Sequence, residues 1–346
     1  MSPKFILFVS LSVFCFWKHA DGGPTVVPAD PFNAEKDADL IWDAVDGCGT
    51  NEDKISKVIC KRTFKQRIEI STAFESKHEG KNLLKRLEKE TSRDLKKLYR
   101  RLLESSQAVL ANDLHDYVDG KREDKYGGVT EILCGTDAYD KSLLGAYYLQ
   151  TFNMDVMDHV KSKYKAGDQL YQNVLIDYCW RTYCTNVTLD TTKIQAAAVV
   201  LANLDPKADG ETLKGQLQNY FKTYCLPDLQ CIFASYRSIK NKGINEAIRE
   251  AMKGDEADAW VALTLSIETR YRYYANLLHQ AVDGCGTDED RINRITVQTC
   301  ERYLGDIDNE YKCMHGESFY KRIAGLTGDF LTEDDYKDCM RMLYGQ

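Results

Sequence analysis

Asp46-Gly47-Cys48-Gly49-Thr50 is the stretch that decides the fold, because the same five residues recur at 283–287. The surroundings match as well: Ala-Val precedes both copies, and Glu-Asp follows each copy after one further residue. A single Gly-x-Gly-Thr string is usually a helix–helix turn. Two glycines around one residue allow positive φ, so successive carbonyls can turn toward one point, and Ca²⁺ takes oxygen ligands of that kind. Two copies in matched contexts therefore predict a pair of calcium loops.

The composition is that of a soluble, helical protein. Of the 346 residues, 43% are hydrophobic and 29% are charged, and only six are proline. The formal net charge of -7 argues against nucleic acid as a partner, since a duplex binder needs a basic footprint. An anionic membrane stays open as a partner, because a bound cation would supply the positive charge.

The hydrophobic pattern repeats four times at helical spacing, and strand signals are minor throughout. We expect five short helices in the first repeat, each with an apolar stripe that it cannot bury alone. Their inward residues are predicted to be Leu40, Ile41, Ala44, Val45, Ile55, Val58, Ile59, Ile68, Ala73, Phe74, Leu83, Leu84, Leu87, Leu95, Leu98, Leu102 and Leu103. The predicted division of the chain is a signal peptide at 1–22, a linker at 23–36, repeats at 37–106, 107–180, 193–269 and 270–346, and a connector at 181–192.

The N-terminus has the pattern of a secretory signal. Lys4 precedes an apolar run from Phe5 to Trp17, which is too short to span a bilayer comfortably, and cleavage is expected after Gly22. An uncleaved anchor is the alternative. The linker that follows holds three of the six prolines and is predicted to be flexible.

Twelve cysteines are present and none forms a Cys-x-x-Cys pair, so zinc ribbons and thioredoxin-like motifs have no support. Eleven remain after removal of the signal, which leaves at least one thiol free or bridged to another chain. Cys60, Cys134 and Cys300 occupy corresponding places in three repeats, and we expect them to be small buried side chains at helix ends.

Four helical repeats of about 70 residues, with a Gly-x-Gly-Thr turn between the first two helices, resemble the annexin family. The resemblance implies an all-α, slightly curved disc of five-helix repeats. It also implies a binding protein, not an enzyme, in which Ca²⁺ bridges protein oxygens to the phosphates of acidic, phosphatidylserine-like lipids. The sequence agrees: it has no His-Glu-x-x-His, Gly-x-Ser-x-Gly or phosphate-loop motif.

The family pattern implies a complete calcium site in the first repeat and an incomplete one in the fourth. The fourth repeat lacks an acid at the expected position, which falls near Gly325 or Leu326; the nearest acid is Asp329. Binding there is expected to be weak. The implied main ligands are the carbonyls of Val45, Gly47 and Gly49 with the Glu90 side chain, and the carbonyls of Val282, Gly284 and Gly286. The implied accessory ligands are Thr50 and Glu52, and Thr287 and Glu289.

The second and third repeats lack the loop, and Lys163 and Ala251 stand near their acidic positions, so no main-type site is expected there. Asp46 and Asp283 replace a lysine that is usual in the family. Cys48 and Cys285 at the loop tips are either small soft side chains or thiols that link two molecules.

A dense basic run lies between Lys81 and Arg101. It is either the solvated face of a helix or a surface for sulfated glycans or anionic lipid. Two functions follow. The first is a secreted annexin-like protein, peripheral on membranes through calcium. The second is a self-associating matrix or surface-coat protein that binds glycans with little need for calcium.

Overall fold

The computed structural model describes residues 22–47, 49–91, 93–122, 124–164, 168–186, 188–283, 286–326 and 334–346. Those ranges hold twenty α-helices and no β-strand, so the all-α prediction is confirmed. The predicted signal core, Cys48 and Cys285 lie outside the described residues. None of the helices in the described ranges has both the length and the apolar character to cross a membrane.

The helices fall into four sets of five. The first set is α1 (Ala34–Val45), α2 (Glu52–Ile59), α3 (Phe64–Lys77), α4 (Leu83–Glu90) and α5 (Arg93–Leu103). The second is α6 (Ser106–Val118), α7 (Lys125–Gly135), α8 (Ala138–Phe152), α9 (Val156–Lys163) and α10 (Gln169–Val174), which ends in a π-helical turn at Leu175–Cys179. The third is α11 (Thr191–Ala202), α12 (Gly210–Thr223), α13 (Leu226–Lys240), α14 (Ile244–Ala251) and α15 (Gly254–Glu268). The fourth is α16 (Arg270–Gln280), α17 (Glu289–Thr299), α18 (Leu304–His315), α19 (Phe319–Ala324) and α20 (Asp334–Leu343).

Short polar residues set the starts of the helices in the first set. The side chains of Asn33, Asn51 and Asn82 each accept a hydrogen bond from a backbone N–H in the first turn of the helix that follows. Thr63 and Gln66 form a reciprocal capping box at the start of α3. These caps fix where each apolar stripe begins and therefore which side chains face the core.

The prediction was wrong for two of the residues expected to face the core. Leu40 and Ile68 are each 41% exposed, whereas Ile41, Ile70 and Phe74 are fully buried. In α3, Ile68 lies two residues from Ile70, which is about 200° around the helix axis, so both cannot face the core. Because the cap at Thr63 fixes where α3 begins, Ile70 and not Ile68 faces the core.

The repeats pack in pairs, and a disulfide joins the first repeat to the fourth. Helix α2 contacts α20, α5 contacts α17 and α20, and α7 contacts α15. Cys60 and Cys134 are buried at helix ends, as expected, and each is in a disulfide that spacing did not assign: Cys60 is bonded to Cys339, and Cys134 to Cys179. Spacing along the chain does not reveal that α20 lies beside α2. A third disulfide joins Cys184 to Cys225, while Cys300 is a free, buried thiol, as expected.

The N-terminal linker is tied to the fourth repeat. The backbone N–H groups of Thr25 and Val26 donate to the Cys300 carbonyl at 2.8 and 2.9 Å, and the Thr25 hydroxyl donates to Leu343 at 2.6 Å. Val26 is buried. The prediction of a flexible linker was therefore wrong for this segment, and α1 begins at Ala34, inside the predicted linker.

Buried ion pairs connect three of the repeats. Arg101 on α5 donates to Asp113 on α6 at 2.8 Å and to Asp290 on α17 at 3.1 Å, and Arg294 pairs with Glu131. Arg101, at one end of the basic run, is thus a buried structural residue. Nearby, Lys97 pairs with Asp94, and Arg100 lies between Glu88 and Glu104. These pairs favour the interpretation of the run as a helix face balanced by acids.

Candidate metal centre

The loop between α1 and α2 is closed by the backbone. The N–H of Asn51 donates to the Ala44 carbonyl at 3.0 Å, and Gly49 has a φ of +98°, which a side chain would strain. Gly47, Gly49 and Glu52 lie on the outer side of the loop, exposed or half-buried, while Val45 is buried at its base.

The loop between α16 and α17 has the same frame. The N–H of Asp288 donates to the Ala281 carbonyl at 2.9 Å, and Gly286 has a φ of +117°. Asp288 then caps α17 as Asn51 caps α2. The repeated sequence therefore gives two loops with matching backbone hydrogen bonds.

Glu90 meets the first loop. It is the last residue of α4, and its Oε2 accepts a hydrogen bond of 2.9 Å from the hydroxyl of Thr50. The structure therefore brings the carboxylate expected from the sequence to the edge of the glycine loop. This geometry places an anionic oxygen donor beside the loop carbonyls.

Arg86 occupies the space between these oxygens, and the sequence reasoning missed it. Its guanidinium donates to the carbonyl of Val45, and its Nη1 lies 3.4 Å from Oε1 of Glu90. The guanidinium of Arg86 thus contacts two of the oxygens assigned to Ca²⁺, the Val45 carbonyl and the Glu90 carboxylate. The four-residue spacing between Arg86 and Glu90 on α4 is the signal that would have placed both on one face.

The fourth loop has no such carboxylate among the described residues. Gly284 and Asp329 lie outside those residues, so the structure does not place them. Leu326, at the expected acidic position, offers its carbonyl to the ammonium of Lys337 at 3.0 Å. Val282 is buried below the loop and Thr287 is half-buried. Burial raises the pKa of the Glu289 carboxyl.

In the third repeat, Ala251 stands in the place of Glu90, and backbone atoms pack closely there. Ala251 is the last residue of α14, as Glu90 is of α4. A Cβ at Gly210 would lie 3.1 Å from the Ala251 carbonyl oxygen, so the two helices meet closely. This close contact is consistent with the expected lack of a main-type site.

In the second repeat Lys163 ends α9 and points to the loop. Its ammonium lies 2.9 Å from Oδ1 of Asp119, and that of Lys121 lies 3.1 Å from Oδ2. The hydrogen bond from Lys163 is the main reason that the pKa of Asp119 is well below its usual value. His115 and His159 approach the same carboxylate, and neither was singled out from the sequence.

Comparison with known proteins finds that the chain is similar to annexins. The annexin family model matches residues 36–102 and 273–342, which contain both glycine loops. Annexin A6 of Gallus gallus is 27% identical over 311 residues, covering 88% of this chain but 46% of the relative, so the chain spans about half the length of that protein. Human annexin A4 is 26% identical over 326 residues, covering 94% of this chain and 99% of the relative.

A solved structure of chicken annexin V in complex with Zn²⁺ superposes with a TM-score of 0.79 at 25% identity, covering 94% of this chain and 99% of that one. These matches support membership of the annexin family, and the predicted fold of annexin-type repeats is confirmed. Annexins generally bind calcium and acidic phospholipid membranes, and they are generally not enzymes.

Proposed function

We propose that this protein binds acidic phospholipid surfaces through calcium held in the loop of the first repeat. The observation that supports this most is the meeting of Glu90 with the loop through Thr50, with the guanidinium of Arg86 already between Glu90 and the Val45 carbonyl. A cation is stabilised there by oxygens from two separate elements, α4 and the loop.

In the proposed site, the carbonyls of Val45, Gly47 and Gly49 and the carboxylate of Glu90 would hold the ion. When bound, Ca²⁺ supplies positive charge and open coordination positions for lipid phosphate oxygens. Arg86 must leave the Val45 carbonyl for this to happen. The guanidinium therefore competes with calcium, and its departure frees a second positive group near the membrane surface.

The Thr50 carbonyl and Glu52 remain the proposed accessory ligands of the first loop, and Thr287 and Glu289 those of the fourth. The fourth main site would use the carbonyls of Val282, Gly284 and Gly286 without a carboxylate. Such a site is expected to fill only at calcium concentrations of about 10⁻⁴ to 10⁻³ M, which are extracellular.

We place the protein outside the cell, peripheral on membranes. Two observations support this. The apolar run from Phe5 to Trp17 has the pattern of a signal core, and three disulfides join six cysteines, which is typical of an oxidising compartment. Disulfide content measured on protein recovered from its native source tests the assignment.

The experiment is sedimentation with phosphatidylserine vesicles, with and without millimolar calcium. Glu90→Gln removes the anionic donor and keeps the shape, and we expect the calcium needed for half-maximal pelleting to rise by about tenfold or more. Glu88→Gln is the matched control, because Glu88 lies on the same helix but pairs with Arg100. Equal pelleting by Glu90→Gln and the wild type would contradict the assignment.

The alternative function is a self-associating coat protein that binds sulfated glycans. Its support is the exposed free thiol of Cys313. The pairing of the basic run with acids speaks against the glycan part of it. Calcium-independent retention on heparin, together with disulfide-linked oligomers on a non-reducing gel, would favour this function over membrane binding.

A further inference from the structure

Three potential metal ligands converge in the second repeat, where the calcium pattern is lost. His159 Nε2 lies 3.2 Å from Oδ1 of Asp119, and His115 Nδ1 lies 3.5 Å from Oδ2. One ligand atom from each of the three residues can be chosen so that all lie within 4.8 Å of one another. His115 lies on α6, Asp119 directly follows α6, and His159 lies on α9. Tertiary packing therefore brings the three residues together.

The spacing suits a small tetrahedral ion. Imidazole nitrogen and carboxylate oxygen bind Zn²⁺ at about 2.0–2.2 Å, which puts neighbouring ligand atoms about 3.3–3.5 Å apart. The two His–Asp separations are close to this length but end on different oxygens of Asp119, so an ion shared by all three residues needs a small rotation of the carboxylate and a closer approach of the two imidazole nitrogens. Nitrogen donors also distinguish the site from the oxygen-lined first loop, because imidazole suits Zn²⁺ and similar transition metals while Ca²⁺ prefers oxygen.

Both imidazoles are held by neighbours. The Tyr148 hydroxyl lies 2.6 Å from Nδ1 of His159, which leaves Nε2 facing Asp119, and the His159 side chain is only 2% exposed. His115 stacks on Phe152 with ring centroids 4.0 Å apart. A hydrogen bond to the second ring nitrogen is the usual way in which proteins orient a metal-binding histidine.

The Asp119 carboxylate already has two positively charged partners. The ammonium groups of Lys163 and Lys121 both contact Asp119, and their side chains are about half exposed, so either can swing into solvent. Exchange of two ammonium groups for one divalent ion leaves the charge around Asp119 unchanged. We propose that His115, Asp119 and His159 form a binding site for one Zn²⁺-class ion, with the fourth position open to water.

The fourth repeat supplies a natural comparison. His279 and Asp283 correspond to His115 and Asp119, with His279 Nε2 at 3.6 Å from Oδ2 of Asp283. His279 instead stacks on His315 at 3.9 Å between centroids, and α19 carries no histidine. His279→Gln is therefore a matched control, since it removes an equivalent histidine from an equivalent place.

The test is equilibrium dialysis of the full chain against Zn²⁺ alone, after alkylation of accessible thiols because Cys313 would bind zinc too. The wild type and His279→Gln should each bind one ion per chain in a saturable manner. His159→Gln should lower the affinity by more than about 100-fold, and Tyr148→Phe, which removes only the orienting hydroxyl, by about tenfold.

A variant with a higher zinc affinity separates an effect on metal binding from a loss of fold. Lys163→Met removes a competing ammonium, so it should raise the zinc affinity several-fold, whereas Lys161→Met on the same helix should not. The circular dichroism of each variant and its calcium-dependent vesicle binding report the fold. The proposal is overturned if the wild type shows no saturable zinc binding, or if His159→Gln binds zinc as the wild type does.

Discussion

The first and second repeats place different chemistry on the same two turns of helix. In the first, Arg86 and Glu90 occupy the last two turns of α4, and in the second, His159 and Lys163 occupy the same places on α9. The charge at the helix end is reversed. The carboxylate at this end meets the glycine loop through Thr50, whereas the ammonium binds the carboxylate of its own loop, Asp119.

On the two proposals above, the fourth helix of each repeat selects the cation. In the first repeat, Glu90 would complete a set of oxygen donors for a hard cation. In the second repeat, Lys163 pairs with Asp119, and the imidazole of His159, one turn earlier on α9, lies 3.2 Å from the same carboxylate and would supply a nitrogen donor. The two repeats share a scaffold, and the side chains at two places on this helix change the class of metal that each repeat would suit.

The largest expected effect is a double dissociation between the two sites. Glu90→Gln should raise the calcium needed for vesicle binding by about tenfold or more and leave zinc binding at its wild-type level. His159→Gln should weaken zinc binding and leave the calcium needed for vesicle binding at its wild-type level. Vesicle sedimentation and zinc dialysis on the same preparations measure both effects. Loss of both activities in one variant would mean that the repeats are not independent.

A smaller effect is expected from the hydroxyl that orients Glu90. Thr50→Val removes the hydrogen bond of 2.9 Å and keeps the side-chain volume, and one such bond is worth about 0.5–1.5 kcal/mol. The calcium affinity should therefore fall by about twofold to tenfold. Thr72→Val is the control, because the Thr72 hydroxyl bonds only within its own helix turn, to Ile68. Calcium titration with vesicles compares the two, and equal behaviour would remove Thr50 from the site.

The smallest effect concerns the competing cation. Arg86→Gln removes the guanidinium from the Val45 carbonyl and from Glu90, and a half-exposed ion pair is worth about 0.2–1 kcal/mol. The calcium affinity should therefore rise by up to about fivefold, as measured by calorimetry without lipid. Lys85→Gln, an exposed neighbour on α4, controls for the loss of one positive charge. A fall in affinity in Arg86→Gln would show that Arg86 supports the site.

The features that could be predicted from sequence were those set by local pattern. The repeated loop motif and the helical class depend on spacing within one repeat, and the place of Glu90 follows from the resemblance to the family. Asn51 and Thr63, which cap α2 and α3, also belong to the residue types that commonly start helices.

The features that could not be predicted depend on contacts between distant segments. Cys60 pairs with Cys339 because α20 lies against α2, and no spacing rule carries that information. Docking of Thr25 on the Cys300 carbonyl and burial of Arg101 between repeats have the same origin. The histidine pair of the second repeat was missed because its members lie on separate helices, and scattered histidines are uninformative until α6 and α9 are placed side by side.

The most direct test of the central claim is a crystal structure of the protein at saturating calcium. We expect an ion bound by the carbonyls of Val45, Gly47 and Gly49 and by Glu90, with the Arg86 guanidinium displaced from the Val45 carbonyl. The account would be contradicted by a structure in which Arg86 keeps its hydrogen bond to Val45 and the first loop holds no ion, while the same protein still pellets with vesicles in calcium.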